Sequence, residues 1–175
     1  MTNRIYHYVG SKEIREAARS APAGKIIRST EELLCWLKEV DTEVLPDGTF
    51  IATFVIDTQG EFRVAPRRSE HVACASGGPV LSAGEVTLAV ENSKSESQVS
   101  VVEISNQSTG FCPEPESWPS VAIALDTIPL ERPGSFTREI VFRLCQGCNQ
   151  RNIVKDCHFV CELCDAELSQ TWNFA

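Results

Sequence analysis

Histidine, methionine and surplus positive charge are all scarce in this chain, which has three His, one Met and 16 Lys and Arg against 24 Asp and Glu, for a net charge of −8. An acidic chain is repelled by the phosphate backbone unless one face is locally basic, so nucleic acid is not an expected partner. No apolar run approaches the roughly 20 residues that span a bilayer, and no membrane association is expected. The first eight residues, Met1 to Tyr8, lack the apolar core of a secretory signal, which predicts a cytoplasmic protein. Gly77-Gly78-Pro79 is followed by no Gly-Lys-Ser/Thr, which excludes a phosphate-binding loop there. A hydrophobic fraction of 42% and a charged fraction of 23% exclude a disordered chain. The 175 residues suffice for one sizeable core with a small appended module.

What the chain does have is eight cysteines, four of them in two Cys-x-x-Cys pairs, Cys145/Cys148 and Cys161/Cys164. Each such turn aims two thiolates to one side of a tight loop, and two turns can close a tetrahedral sulfur cage around Zn²⁺. The 12 residues between the pairs are enough for a short hairpin, so the spacing predicts a structural zinc ribbon. A redox dithiol stands singly at a helix start in a βαβ context, which is absent here. Cys157 and His158 lie between the pairs as alternative ligands, but the regular spacing favours the paired cysteines. With no sign of an oxidising compartment, Cys35, Cys74, Cys112 and Cys157 are expected as free thiols.

Ser11 is placed to cap a helix running to Arg19, ahead of a break at Pro22 and Gly24. Ser29 and Glu32 form a capping box before a second helix with an apolar stripe of Leu33, Leu34, Trp36, Leu37 and Val40. Strand signals follow at 49–57 and 61–64 around a Thr58-Gln59-Gly60 turn, then at 85–90 and 99–105 around the polar loop 92–98. The alternation slips at Val101-Val102, which predicts a β-bulge. Pro113, Pro115 and Pro119 exclude a central strand in their segment. A short helix is expected at 120–126, a linker near Pro129, Pro133 and Gly134, and a strand at 139–144 leading into the first cysteine pair. Trp172 and Phe174 are expected to pack the tail against the sheet. Helices ahead of a run of antiparallel strands indicate an α+β fold with a mainly antiparallel sheet, residues 1–135, and a zinc-ribbon module, 136–175, packed on it.

Two segments are dense in reactive and turn-forming residues, Arg67 to Pro79 and Asn106 to Glu114. His71 is the best-placed general base, Glu85 or Glu70 could orient it, and Cys112, Ser108 or Cys74 could serve as nucleophile. The plainer reading makes Cys74 and Cys112 small buried hydrophobes and His71 a hydrogen-bonded edge residue.

The order His71, Gly77-Gly78, Ala83-Gly84-Glu85, an alternating hairpin and Ser108-Thr109-Gly110-Phe111-Cys112-Pro113 resembles a region of plant IQ-motif calmodulin-binding proteins and of some bacterial toxin-associated domains. Those proteins carry His-Ser-Ser-Phe, Ala-Gly-Arg/Glu, a hairpin and Ser-Gly-His-Tyr-x-Pro. Here His71-Val72-Ala73-Cys74 departs from the first motif at three positions, and Gly110 stands where the family has histidine. The resemblance covers about a quarter of the chain and implies a shared β-rich fold with a ligand cleft. The final pairs resemble zinc ribbons in general.

Together these features predict a zinc-stabilised, non-catalytic module that recognises a protein or a small ligand between the His71 and Ser108–Glu114 segments. The competing expectations are a small hydrolase or transferase using His71 with Cys112 or Ser108, and a zinc-ribbon nucleic-acid binder.

Overall fold

The computed structural model describes residues 4–41, 43–92 and 97–174. The loop expected at 92–98 therefore lies mostly outside the described residues. Among them no helix is long and apolar enough to cross a membrane.

The chain runs α1 (Lys12–Ala18), β1 (Lys25–Ile26), α2 (Thr30–Glu39), β2 (Glu43–Val44), β3 (Phe50–Asp57), β4 (Phe62–Pro66), α3 (His71–Cys74), β5 (Val80–Asn92), β6 (Ser97–Ile104), a 3₁₀ turn (Pro115–Ser117), α4 (Trp118–Thr127), β7 (Val141–Leu144) and β8 (Arg151–Val154). Both expected helix starts are capped as the sequence requires. Ser11 Oγ accepts from the Ile14 N–H, and Ser29 Oγ from the Glu32 N–H. The Glu32 carboxylate reaches back to the Arg28 N–H at 2.8 Å, one residue beyond the usual box partner.

The fold is α+β, with an antiparallel sheet ordered β1-β4-β3-β5-β6 and β2 paired to the start of β3. Asp57 fixes the β3–β4 turn by accepting from the Gln59 and Glu61 N–H groups and pairing with Arg63 at 2.8 Å. The bulge falls where alternation slips, because Thr87 pairs with Glu103 while Leu88 pairs with Val101, leaving Val102 over. Alternate β3 residues serve two cores. Ala52, Phe54 and Ile56 face α2 and α4, whereas Val55 faces α3, Tyr6 and Phe111. Both faces are thus covered, which is why these strands read as nearly continuous apolar runs.

Two segments add to or differ from expectation. Residues 71–74, to which no element is assigned from sequence, form one buried helical turn, since Val72, Ala73 and Cys74 have apolar neighbours on the sheet to satisfy. The stretch read as a linker is bonded along the edge of β6: Val101 N–H donates to the Glu131 carbonyl and Thr137 N–H to that of Ile104. Leu130 and Phe136 enter the core there, and the open edge is closed.

β7 and β8 form a separate two-stranded ribbon bearing the cysteine pairs. Asn106 holds it to the sheet, donating to the Pro113 and Ile140 carbonyls and accepting from the Ile140 N–H, all within 2.8 Å. Arg143 and Glu114 add a 2.7 Å ion pair whose side chains are 6% and 11% exposed. Removing one partner from such a pair costs about 3–5 kcal/mol, because a buried charge is left alone. Trp172 and Phe174 pack at the same seam with Cys112, Ile140 and Phe142.

Gly84 sits against the backbone of Ser105 with no room for a side chain. A Cβ there would sit 1.8 Å from the Ser105 carbonyl oxygen, a backbone atom that cannot swing aside. Gly84→Ala is expected to destabilise by ~3 kcal/mol or more, the upper end for overpacking. Urea unfolding measures this, and a variant within roughly 0.5 kcal/mol of the parent, the scatter of neutral surface changes, contradicts the close approach.

Candidate functional site

The four paired cysteines converge. Their sulfurs all lie within 4.8 Å of one another, with Cys145 and Cys164 at 3.5 Å and Cys148 and Cys161 at 3.6 Å. A tetrahedron with metal–sulfur bonds of about 2.3 Å has edges of ~3.8 Å, so the set can hold a metal ion.

The two turns are built alike. In each, the residue after the second cysteine takes the left-handed conformation, Asn149 at φ 59° and Asp165 at φ 56°. In each, the N–H of that residue donates to the carbonyl of the first cysteine, at 2.9 and 3.0 Å. Asn and Asp tolerate this region better than other side-chain-bearing residues. Backbone N–H groups also point at the sulfurs. Desolvation raises the Cys161 thiol, but hydrogen bonds from the backbone of Leu163 and Cys164 and from the Cys148 and Cys145 thiols outweigh it and bring it down to about 6. Cys148 is lowered by the Gln150 backbone yet pushed up to about 12 by desolvation and its neighbouring thiols. Four thiols this close cannot all ionise alone, and a divalent cation bound among them would replace their protons.

Cys157, by contrast, is exposed and stands outside the cluster, as does the adjoining His158.

The other sequence candidates lie apart from this cluster. His71 Nε2 is 3.0 Å from the Gly84 carbonyl, so Nε2 carries the proton and donates. Burial holds the imidazole pKa below its ordinary value against the opposing pull of that hydrogen bond, Glu85 and Glu70. Glu85 pairs with Arg67 at 3.2 Å. The Cys112 thiol donates to the Thr109 carbonyl, and burial pushes it up to about 12, with Arg151 opposing. Cys74 is likewise pushed up to about 12 by burial. Ser108 Oγ is buried without a hydrogen-bond partner. Among the described residues no hydrogen bond joins His71 to Ser108, Cys112 or Glu85.

The two reactive segments do share the Val72–Phe111 apolar cluster, to which Tyr8 adds an edge-on contact with Phe111. Tyr8 also explains the glycine at 110. A Cβ there would be 2.7 Å from Tyr8 Cε2, so the tyrosine ring fills the space a larger side chain would need.

The clefts divide these segments. Glu70 and Ala73 border an apolar cleft of about 570 Å³ with Ile14, Ala17 and Trp36. Glu114 borders another of about 570 Å³ at the ribbon seam, with Tyr6, Arg4 and Trp172. Glu85 and Arg67 line a smaller charged cleft of about 280 Å³.

No family model, curated protein or solved structure matches this chain. The resemblance to the IQ-motif and toxin-associated region thus gains no support from these comparisons, and the chemistry of the site must carry the reading.

Sequence reasoning singled out the Asn106–Glu114 segment and Trp172 but missed the partnerships that hold the seam: Arg143 with Glu114, Asn106 with Ile140, and Arg4 with Trp172. These three pairs join positions at least 29 residues apart, and no local pattern announces them.

Native thiols should react in order of exposure. Iodoacetamide at pH 8 is expected to modify Cys35 and Cys157 while Cys74 and Cys112 stay unmodified until the chain is unfolded, read by peptide mass mapping. Labelling of Cys112 as fast as Cys35 would refute a thiol held near 12.

Proposed function

We propose that this chain is a zinc-stabilised, non-catalytic recognition module, with a body of residues 1–135 carrying a zinc ribbon of 136–175. The observation that carries it is the convergence of Cys145, Cys148, Cys161 and Cys164 on a ribbon whose Arg143 and Leu144 hold the tail that lines one side of a ligand-sized cleft. Four cysteine sulfurs with closed tetrahedral spacing suit Zn²⁺ in a structural role, since a catalytic zinc keeps one position open. Zinc here would hold the two turns together and do no chemistry on a ligand.

Burial supports recognition over hydrolysis or transfer. A thiol near 12 is protonated at neutral pH and is a poor nucleophile, and Cys112 spends its proton on a carbonyl. Three of the four cations in 136–175 are engaged within the fold, which supports protein or small-ligand recognition over nucleic acid. Arg143 is buried against Glu114, Lys155 lies 4.0 Å from Glu162, and Arg151 donates to the Thr109 carbonyl.

One zinc per chain is the expected content. Its removal by a strong chelator is expected to lower Tm by ~10 °C or more, because metal affinity is coupled to folding. Cys161→Ser, at a buried ligand, should reproduce that loss. A chain verified free of metal that melts at the same temperature would sink the proposal.

A further inference from the structure

The seam cleft has two walls of different origin. Tyr6, Glu116 and Ser120 belong to the body, and Gln170, Thr171 and Trp172 to the tail beyond the ribbon. The ribbon sets the second wall. Arg143 donates to the Ser169 and Gln170 carbonyls at 3.1 Å each, and Asn173 exchanges two hydrogen bonds with the Leu144 backbone. Trp172 is then fixed by its indole N–H, which donates to the Cys112 carbonyl at 2.8 Å.

Over this indole, 4.8 Å from the ring centre, lies the Arg4 guanidinium. An arginine stacked on an aromatic face keeps its N–H fork free in the plane, the geometry that grips a carboxylate with two parallel hydrogen bonds. Among the described residues nothing occupies that fork, for Arg4 is in no ion pair and no hydrogen bond. Of the two carboxylates lining the cleft, Glu114 is neutralised by Arg143, whereas Glu116 is exposed and in no ion pair. Leu81 and Pro119 add apolar surface, and Gln170 and Thr171 add side-chain donors and acceptors.

We propose that this cleft captures the carboxy-terminus of a peptide. The terminal carboxylate meets the Arg4 fork, the last apolar side chain lies against Trp172 and Leu81, and a basic residue upstream meets Glu116. One cationic and one anionic anchor flanking apolar surface match an extended peptide better than a lone acid, and carboxylate capture is a recurring mode of peptide recognition. A volume of about 570 Å³ is within the ordinary range for ligand sites. Because one wall hangs on the ribbon, binding depends on the metal; the inference rests in this respect on the proposed zinc module.

The test is a titration of the ¹⁵N-labelled, metal-loaded full chain with acetyl-Lys-Ala-Ala-Leu as the free acid, its carboxy-terminal amide, and acetyl-leucine. The Trp172 indole and the Gln170 and Thr171 amides report binding. The free acid is expected to shift these resonances, and both the amide and Arg4→Gln to weaken binding roughly tenfold or more, the loss of about 1.4 kcal/mol. Glu116→Gln should weaken the peptide but leave acetyl-leucine unaffected. No shift, or equal binding of acid and amide, overturns the proposal. Acetyl-leucine binding as tightly as the peptide overturns the peptide assignment. A chain that holds metal and stays folded but does not respond refutes the cleft alone, whereas a chain that never holds metal refutes the module reading.

Discussion

Four sulfurs confined within 4.8 Å form the constraint on which the rest of the ribbon depends. The two strands that flank the first cysteine turn have only four residues each. A two-stranded hairpin of this size is marginal by itself in water. Its small apolar cluster around Cys145, Cys161 and Leu168 offers little burial beyond the sulfurs themselves. The backbone is nonetheless prepared for a cation at the centre. Both turns repeat the same left-handed residue and the same closing hydrogen bond, and amide N–H groups converge on thiols that would otherwise repel one another once ionised.

From that centre the ordering passes outward through specific contacts. Arg143, two residues before Cys145, leaves the ribbon for the buried carboxylate of Glu114 and two carbonyls of the tail. Asn106 fastens the entry to β7 with two hydrogen bonds to Ile140 and holds the Pro113 carbonyl with a third. A buried ion pair is weak support for stability compared with apolar packing, but it is unforgiving of misalignment. Here it fixes the angle at which the ribbon meets the sheet, and so the shape of the cleft between Tyr6 and Trp172.

Legibility in the sequence follows the range of the interaction. The caps at Ser11 and Ser29 were readable because donor and acceptor are three residues apart. The bulge at Val102 was readable because a period-two pattern exposes a single extra residue. The cysteine pairs were readable because each turn places two sulfurs three residues apart in sequence. The helical turn at His71 was hidden because its four residues look like loop until the apolar neighbours of Val72 and Cys74 are known. The stretch after Pro129 was hidden for the same reason, its partner being β6 about 30 residues earlier. Of the candidate site, the cysteine cluster was legible and the seam was not. The reactive residues His71, Ser108, Cys112 and Glu85 stood out by type, but their hydrogen bonds go to Gly84, Thr109 and Arg67, or in the case of Ser108 Oγ to no partner.

The most direct test of the central claim is X-ray absorption at the zinc edge of the purified, reduced protein. The account predicts a single shell of four sulfurs at about 2.3 Å, the distance for cysteine-ligated zinc. A spectrum dominated by nitrogen or oxygen neighbours, or a protein whose absorption edge shows no bound zinc, would contradict it.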